Sequence, residues 1–271
     1  MPTIKFTKMH GLGNDFVVID AITQSIPLDH LSIAALANRH TGIGFDQLLL
    51  IEKSLSNADF FCRIFNSDGT EAEQCGNGMR CVARFIYEKD LAVKKQLAIE
   101  TQSGIVQTTL QDFDNIHVNM GHPTIEPSQE VSLSPNASPL KLTLISMGNP
   151  HAILNVPSVV SAPVQELGAS LSTHPIFPHG INVGFMEIVN RQHVRLRTFE
   201  RGAGETLACG TNSCAAVVAG IINHALDPKV RVALALGSLW IEWPDENSPL
   251  MMSGPADNVF EGTIKVSHVT S

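Results

Sequence analysis

What the chain lacks narrows its function before any motif is read. It has no basic cluster: Lys and Arg number 18 against 26 Asp and Glu, for a net charge of −8, and the pI is about 5.7. Nucleic acid and anionic membrane surfaces are therefore not expected partners. Long apolar runs are missing too, since the longest, AAVVAGII, is far too short to cross a bilayer. The N-terminus, MPTIKFTKMHGLGND, has neither an apolar core nor a small-residue cleavage site, so a cytoplasmic protein is expected. There are 5 Cys and no CxxC pair, which fits reduced thiols rather than a disulfide framework. Gly11-Leu12-Gly13 lacks the third glycine and the following helix of a dinucleotide site. No lysine lies in a motif loop that repeats, which disfavours a pyridoxal enzyme.

What is present is a globular chain of 271 residues, 44% hydrophobic and 16% charged, containing the same plan twice. EQCGNGMRCVARFIYE, from Glu73 to Glu88, has a Cys, a Gly, small polar residues and then an apolar helical run; LACGTNSCAAVVAGIIN, from Leu207 to Asn223, repeats it. The likeness extends to neighbouring motifs. Gly13-Asn14 answers Gly148-Asn149 at an offset of 135 (149 − 14), and Gln47 answers Asn182 at 135 (182 − 47). Asn66 answers Glu200 and Cys75 answers Cys209, both at 134 (200 − 66, 209 − 75). Gly121 answers Gly254 at 133 (254 − 121). An ancestral duplication follows, and with it an α/β (α+β) fold of two pseudo-symmetric halves: 1–117 plus 259–271, and 118–258. The rival is repetition of a stable fold with no functional meaning, but the matched positions are polar or glycine, which favours a shared polar cleft.

Alternating and apolar segments read as strands from Ile4 onward, with helices over Asp29–Arg39 (capped by Asp29), after Cys75, over Val164–Leu171 and after Cys209. Pro123–Pro139, rich in Pro, Ser and Glu, reads as a linker. A last strand, Phe260–Ser267, has no counterpart at the end of the first copy and should return to complete the N-terminal sheet.

Each repeated Cys sits where a helix should begin. The first amides of a helix lack internal partners and carry partial positive charge, which favours a thiolate and can hold a carboxylate. Cys75 and Cys209 are therefore the catalytic candidates, with lowered thiol pKa values expected; Cys62, Cys81 and Cys214 read as packing. Two equivalent acid/base groups from symmetric halves suit racemisation or epimerisation, one thiolate removing a proton from a carbon and one thiol delivering to its other face. The amides of Gly76-Asn77 and Gly210-Thr211 would stabilise charge moving onto carboxylate oxygens. Asn14, Gln47, Asn66, Asn149 and Asn182 offer donors and acceptors, Glu200 can receive an ammonium, and Arg201 can grip a carboxylate. His151 reads either as a proton relay or thiol-orienting group, or as an ordinary loop histidine. A thiol redox switch and an amino-acid-binding module without turnover are rivals from other classes.

HGLGNDFVVID, NSDGTEAEQCGNGMRC, MGNPHA, INVGF and ERGAGETLACGTNSCAA resemble, in order and over almost the whole chain, the motifs of diaminopimelate epimerases. The resemblance implies interconversion of LL- and meso-diaminopimelate in lysine and peptidoglycan-precursor synthesis, without pyridoxal phosphate or metal. It implies that Cys75 takes the proton from the LL substrate and Cys209 serves the other face, with His151 and Glu200 assisting. Substrate contacts fall on Asn14, Gln47, Asn66, Gly76, Asn77, Asn149, Asn182, Glu200, Arg201, Gly210 and Thr211. A homodimer is implied, as is a fold in which each half wraps a mixed, mainly antiparallel β-sheet around its central helix. Two departures stand out: Asn212-Ser213 follow Cys209-Gly210-Thr211 where the family usually has Gly and a small residue, and Phe260 stands where a Tyr at a dimer contact is common. A proline or hydroxyproline racemase of the same superfamily is the nearest rival, but a small ring has no distal amino-acid head to occupy Asn149, Asn182 and Arg201.

Overall fold

A computed structural model describes residues 3–28, 31–72, 75–133 and 138–265. The chain divides into two compact units, Met1–Val118 with Gly254–Ser271, and Asn119–Ser253. In the first, β1 (Thr3–Gly11) and β2 (Asn14–Asp20) lead to α1 (Ile33–Ala37), followed by β3 (Gln47–Glu52), β4 (Phe60–Asn66), β5 (Glu71–Ala72), α2 (Gly76–Glu88), β6 (Gln96–Thr101), β7 (Gly104–Asp112) and β8 (Asn115–Asn119). In the second come β9 (Thr124–Val131), β10 (Leu140–Ser146), β11 (Pro150–Asn155), α3 (Val164–Ser172), β12 (Asn182–Asn190), β13 (His193–Glu200), β14 (Gly204–Thr206), α4 (Gly210–Ile222), β15 (Lys229–Leu234), β16 (Gly237–Glu242) and β17 (Met251–Gly254). A final strand, β18 (Asp257–Lys265), returns to the first unit and pairs antiparallel with β1.

The pairings repeat strand for strand. β2 lies parallel to β3, β3 antiparallel to β4 and β4 parallel to β6; β11 lies parallel to β12, β12 antiparallel to β13 and β13 parallel to β15. Registers repeat too, with Phe16 opposite Gln47 in one unit and His151 opposite Asn182 in the other. β2 and β3 are buried on both faces, which is why they read as the continuous apolar runs FVVI and LLLI rather than as alternation. One face packs on the long helix. α2 contacts β1, β2, β3 and β7, and α4 contacts β10 to β13, β15 and β16. The other face is covered by a short helix: Ile33, Leu36 and Ala37 of α1 pack with Val17, Ile19, Leu48 and Leu50, while Val164 and Leu171 of α3 pack with Ala152, Leu154, Val183 and Phe185.

Three sequence expectations need correction. The helix over Asp29–Arg39 shrinks to α1, capped by Ser32, whose Oγ accepts from the Ala35 amide; Asp29 lies outside the described residues. It ends because Asn38 Oδ1 takes the amides of His40 and Thr41, turning the chain out of the helix. Pro123–Pro139 is not simply a linker, for β9 occupies part of it and pairs with β10, the register slipping between Leu142 and Leu144 opposite Pro127, which has no N–H to give. And β18 does have a counterpart. It is β9: each strand closes one sequence copy yet pairs with the first strand of the other copy, β18 with β1 and β9 with β10.

The two-residue β5 and three-residue β14 escaped the sequence reading because strands so short carry no periodicity. They matter because each turns the chain back along its neighbour just before a Cys. Ion pairs brace both turns: Arg63 holds Glu71 at 2.9 Å and Arg197 holds Glu205 at 2.6 Å. These residues match at the repeat offset of 134 (197 − 63, 205 − 71).

Candidate active site

In the first unit the chain between β1 and β2 turns through Gly13 (φ 93), a backbone conformation few other residues adopt, and the matching turn before β11 uses Gly148 (φ 90). Each turn places an Asn beside the start of a long helix. Asn14 Oδ1 accepts from Asn77 Nδ2 at 3.3 Å and lies 3.9 Å from Cys75 Sγ. Its amide nitrogen donates to Asp46 Oδ2 at 2.9 Å. Asp46 is held in turn by Arg39, which also grips Asp15 with two hydrogen bonds of 2.7 and 2.9 Å, and Lys8 donates to Asp15 and to the Gly44 carbonyl. Burial pushes the Asp15 carboxyl up, but the hydrogen bonds from Arg39 and Lys8 overcome it and hold it well below the usual carboxylate range. These four residues were not singled out from sequence; the Asp of GNDF and the Asp of GIGFDQ were the available signals.

Cys75 is the N-cap of α2, and its Sγ accepts from the Gly78 amide at 3.4 Å. Gly76 and Asn77 open the same helix, where backbone amides point out of the helix end. Gln47 and Asn66 face each other across β3 and β4, with Gln47 Nε2 donating to Asn66 Oδ1 at 3.0 Å and Asn66 Nδ2 to Thr70 Oγ1 at 3.1 Å. On α2 itself Arg80 is fully buried, with Nη1 on Asn77 Oδ1 and Nε on the Pro255 carbonyl, each at 3.0 Å. Arg80→Met keeps the bulk but strips donors from two acceptors, so thermal unfolding should show a loss of about 2 kcal/mol. An unchanged melting curve would mean that Arg80 does not hold Asn77.

In the second unit Cys209 caps α4, again with Gly210 and Thr211 opening the helix, but the thiol is set differently. It is buried and lies 3.4 Å from Glu200 Oε2 and 3.5 Å from Thr211 Oγ1. Glu200 is braced by Thr206, whose Oγ1 donates to Oε1 at 2.6 Å. Burial, and then the Glu200 charge, push the Cys209 thiol well above its ordinary value. The expectation of a lowered pKa therefore fails at this position: loss of solvent and a neighbouring carboxylate outweigh the helix end, and Cys209 is held as a thiol. Cys62 and Cys81 are buried, and burial pushes Cys81 up to about 12; both are inert packing, as read from sequence.

Asn182 sits at the start of β12, its Oδ1 accepting from the Arg201 amide at 3.0 Å and its Nδ2 donating to the Pro150 carbonyl at 3.3 Å. The Arg201 guanidinium is exposed and anchored on the His179 carbonyl at 2.8 Å. Asn149 Nδ2 lies 3.5 Å from Thr211 Oγ1, and its Oδ1 is 3.0 Å from His151 Nε2. His151 is no loop residue. It is fully buried on β11, and burial, helped by the Arg201 charge, pushes it down to about 3, so the ring is neutral near pH 7.

Taken by unit, Asn14, Cys75, Gly76 and Asn77 form one cluster, with Gln47 and Asn66 on the adjoining strands. Asn149, His151, Glu200, Cys209, Gly210 and Thr211 form another, joined by Asn182 and Arg201. Each cluster offers a thiol, a helix N-terminus and amide side chains, which is equipment for moving a proton next to a carboxylate. The second places the Glu200 carboxylate beside its thiol.

The family model for diaminopimelate epimerase matches residues 6–126 and 143–259. A diaminopimelate epimerase of Nitrosomonas europaea is 50% identical over 96% of this chain and 98% of its own. That of Ectopseudomonas mendocina is 48% identical over 97% and 99%. Among solved structures, a phenazine biosynthesis protein of the PhzF family from Bacillus anthracis superposes with a TM-score of 0.75 at 20% identity, covering 98% of this chain and 100% of that one. A hydroxyproline epimerase from Agrobacterium vitis gives 0.74 at 15%, covering 97% and 92%. At such low identity these two speak for the fold alone. A family model matching most of the chain, with relatives about half identical over nearly its full length, means that the chain belongs to the diaminopimelate epimerase family.

Proposed function

We propose that the protein interconverts LL- and meso-diaminopimelate by a 1,1-proton transfer between two thiols, one from each unit, acting on opposite faces of one α-carbon. The observation that carries this reading is the unequal setting of two equivalent cysteines: Cys209 is held as a thiol by burial and Glu200, while Cys75 is half-buried and accepts a helix amide. A two-base inversion needs one base and one acid at the outset. Cys75 removes the α-proton of the LL substrate as Cys209 delivers to the other face, and the roles reverse from the meso side. The substrate carboxylate is held by the amides at the starts of α2 and α4, which take up the negative charge as the α-carbon is deprotonated. Glu200 receives the substrate ammonium or tunes Cys209; Asn14, Gln47, Asn66, Asn149, Asn182 and Arg201 hold the remaining polar groups, and His151 orients its neighbours. No cofactor or metal enters this reading.

The product serves lysine and peptidoglycan-precursor synthesis in the cytoplasm, and the working form is a homodimer. Exposed Val259 and Phe260 on β18 are consistent with such a contact, Phe260 packing edge-on against Phe6 at 6.0 Å. Proton exchange measured on LL-diaminopimelate and on L-proline tests the assignment: exchange confined to the former supports it, and exchange with proline alone overturns it. Two sulfurs meeting at one carbon should also oxidise together. Mild oxidation is expected to inactivate the enzyme and link Cys75 to Cys209, with activity regained on reduction; peptide mass spectrometry finding both thiols free in the inactive protein would contradict this.

A further inference from the structure

Three matched positions differ in kind between the units although the backbone around them is the same. In the first unit, Phe16 on β2 and Leu49 on β3 are wholly buried, and a Cβ on Gly78 of α2 would lie 3.3 Å from Leu49 Cδ1 and Cδ2. At the same places the second unit has His151, Gly184 and Asn212, offset by 135 (151 − 16, 184 − 49) and 134 (212 − 78). Bulk has moved from strand to helix: a Cβ on Gly184 would sit 2.4 Å from Asn212 Oδ1, so only glycine leaves room for that amide. His151 and Asn212 are as buried as Phe16 and Leu49 are in the first unit. A core position has become polar, with its neighbour trimmed to fit, and burying two polar side chains is unfavourable unless they bond to each other.

They do. Asn212 Nδ2 lies 3.1 Å from His151 Nδ1, and His151 Nε2 lies 3.0 Å from Asn149 Oδ1. An amide nitrogen only donates, so Nδ1 accepts and the single ring proton sits on Nε2, donated to Asn149. Turning the Asn212 amide over would aim its two N–H groups where Oδ1 now lies, buried without a hydrogen-bond partner among the described residues. An unsatisfied carbonyl is more readily tolerated there than an unsatisfied NH₂. The relay leaves Asn149 with its oxygen occupied and its Nδ2 directed to Thr211, whose Oγ1 touches Cys209 Sγ.

We propose that Asn212 is a positioning residue: by donating to His151 Nδ1 it fixes the Nε2–H tautomer, and through that ring it sets Asn149 to present a hydrogen-bond donor toward the Cys209 end of the site. Resting on the reading of Asn149 as a substrate contact, this makes Asn149 a reader of carboxylate oxygen rather than of ammonium.

The test uses the full chain with nitrogen-15-labelled histidine and no substrate, so its first readout is independent of turnover. Wild-type His151 is expected to be neutral with its proton on Nε2. Asn212→Asp replaces the donor by an acceptor and should place a proton on Nδ1. With LL-diaminopimelate it should raise KM about tenfold or more, as expected for a lost hydrogen bond to a charged group, with a smaller change in kcat. Should that variant fail to fold, Asn212→Gly with Gly184→Leu rebuilds the packing of the first unit while leaving Nδ1 without its donor; it should fold, mix the two tautomers and raise KM likewise. A wild-type ring protonated on Nδ1, or variants with unchanged tautomer and KM, overturns the proposal. A tautomer shift in a protein that does not turn over diaminopimelate would uphold the positioning and defeat the functional reading.

Discussion

Cys209→Ala should lower the rate of epimerisation by a factor on the order of 10²–10⁴, the range for loss of a positioned acid or base, while leaving the protein folded. The fold should survive because trimming the thiol to a methyl gives up weak sulfur contacts, with Glu200, Thr211 and the Asn212 amide, and leaves the packing of α4 in place. The stereochemical course is the sharper part. If Cys75 is the base on the LL face, the variant should still exchange the α-hydrogen of LL-diaminopimelate with deuterated solvent but not invert it, whereas Cys75→Ala should exchange only from the meso side. Equal loss of both exchange reactions in both variants would argue that the cysteines do not divide the faces between them.

The second large effect is on stability in acid. His151 is pushed from its ordinary 6.5 to about 3 by burial and the Arg201 charge. In the unfolded chain it takes up a proton as the pH falls below 6.5, and in the fold it does not until about 3. The unfolded state thus binds more protons over that window, and stability, whole above pH 6.5, is lost progressively on the way down. For so buried a group the loss is on the order of 4 kcal/mol by pH 3. His151→Phe, which installs the residue found at the matching position of the first unit, should flatten the dependence of melting temperature on pH in that window. It should also lower stability near neutrality by stranding Asn212 Nδ2. A variant as acid-sensitive as the wild type would show that His151 is not the group responsible.

Much of this was legible in sequence because duplication prints its evidence twice. The offset that paired Asn14 with Asn149 and Cys75 with Cys209 holds in the strand registers as well, Phe16–Gln47 and His151–Asn182. The helix starts were legible from a Cys followed by Gly and small polar residues. What failed depends on tertiary surroundings. The thiol state of Cys209 follows from burial and Glu200, neither visible in CGTNSC. Asn212 read as a small departure at a helix start, and its meaning emerged only with the space left by Gly184 and the ring of His151. β9 was hidden by a Pro-rich composition because its residues are mostly exposed, and a polar strand carries little alternation.

The central claim is geometric, and a crystal structure with an unreactive diaminopimelate analogue tests it most directly. The account predicts Cys75 Sγ and Cys209 Sγ on opposite sides of the same α-carbon, each at about 3–3.5 Å, with the carboxylate on the amides that open α2 and α4. An analogue with both sulfurs on one face, or with either sulfur out of reach of that carbon, would contradict it.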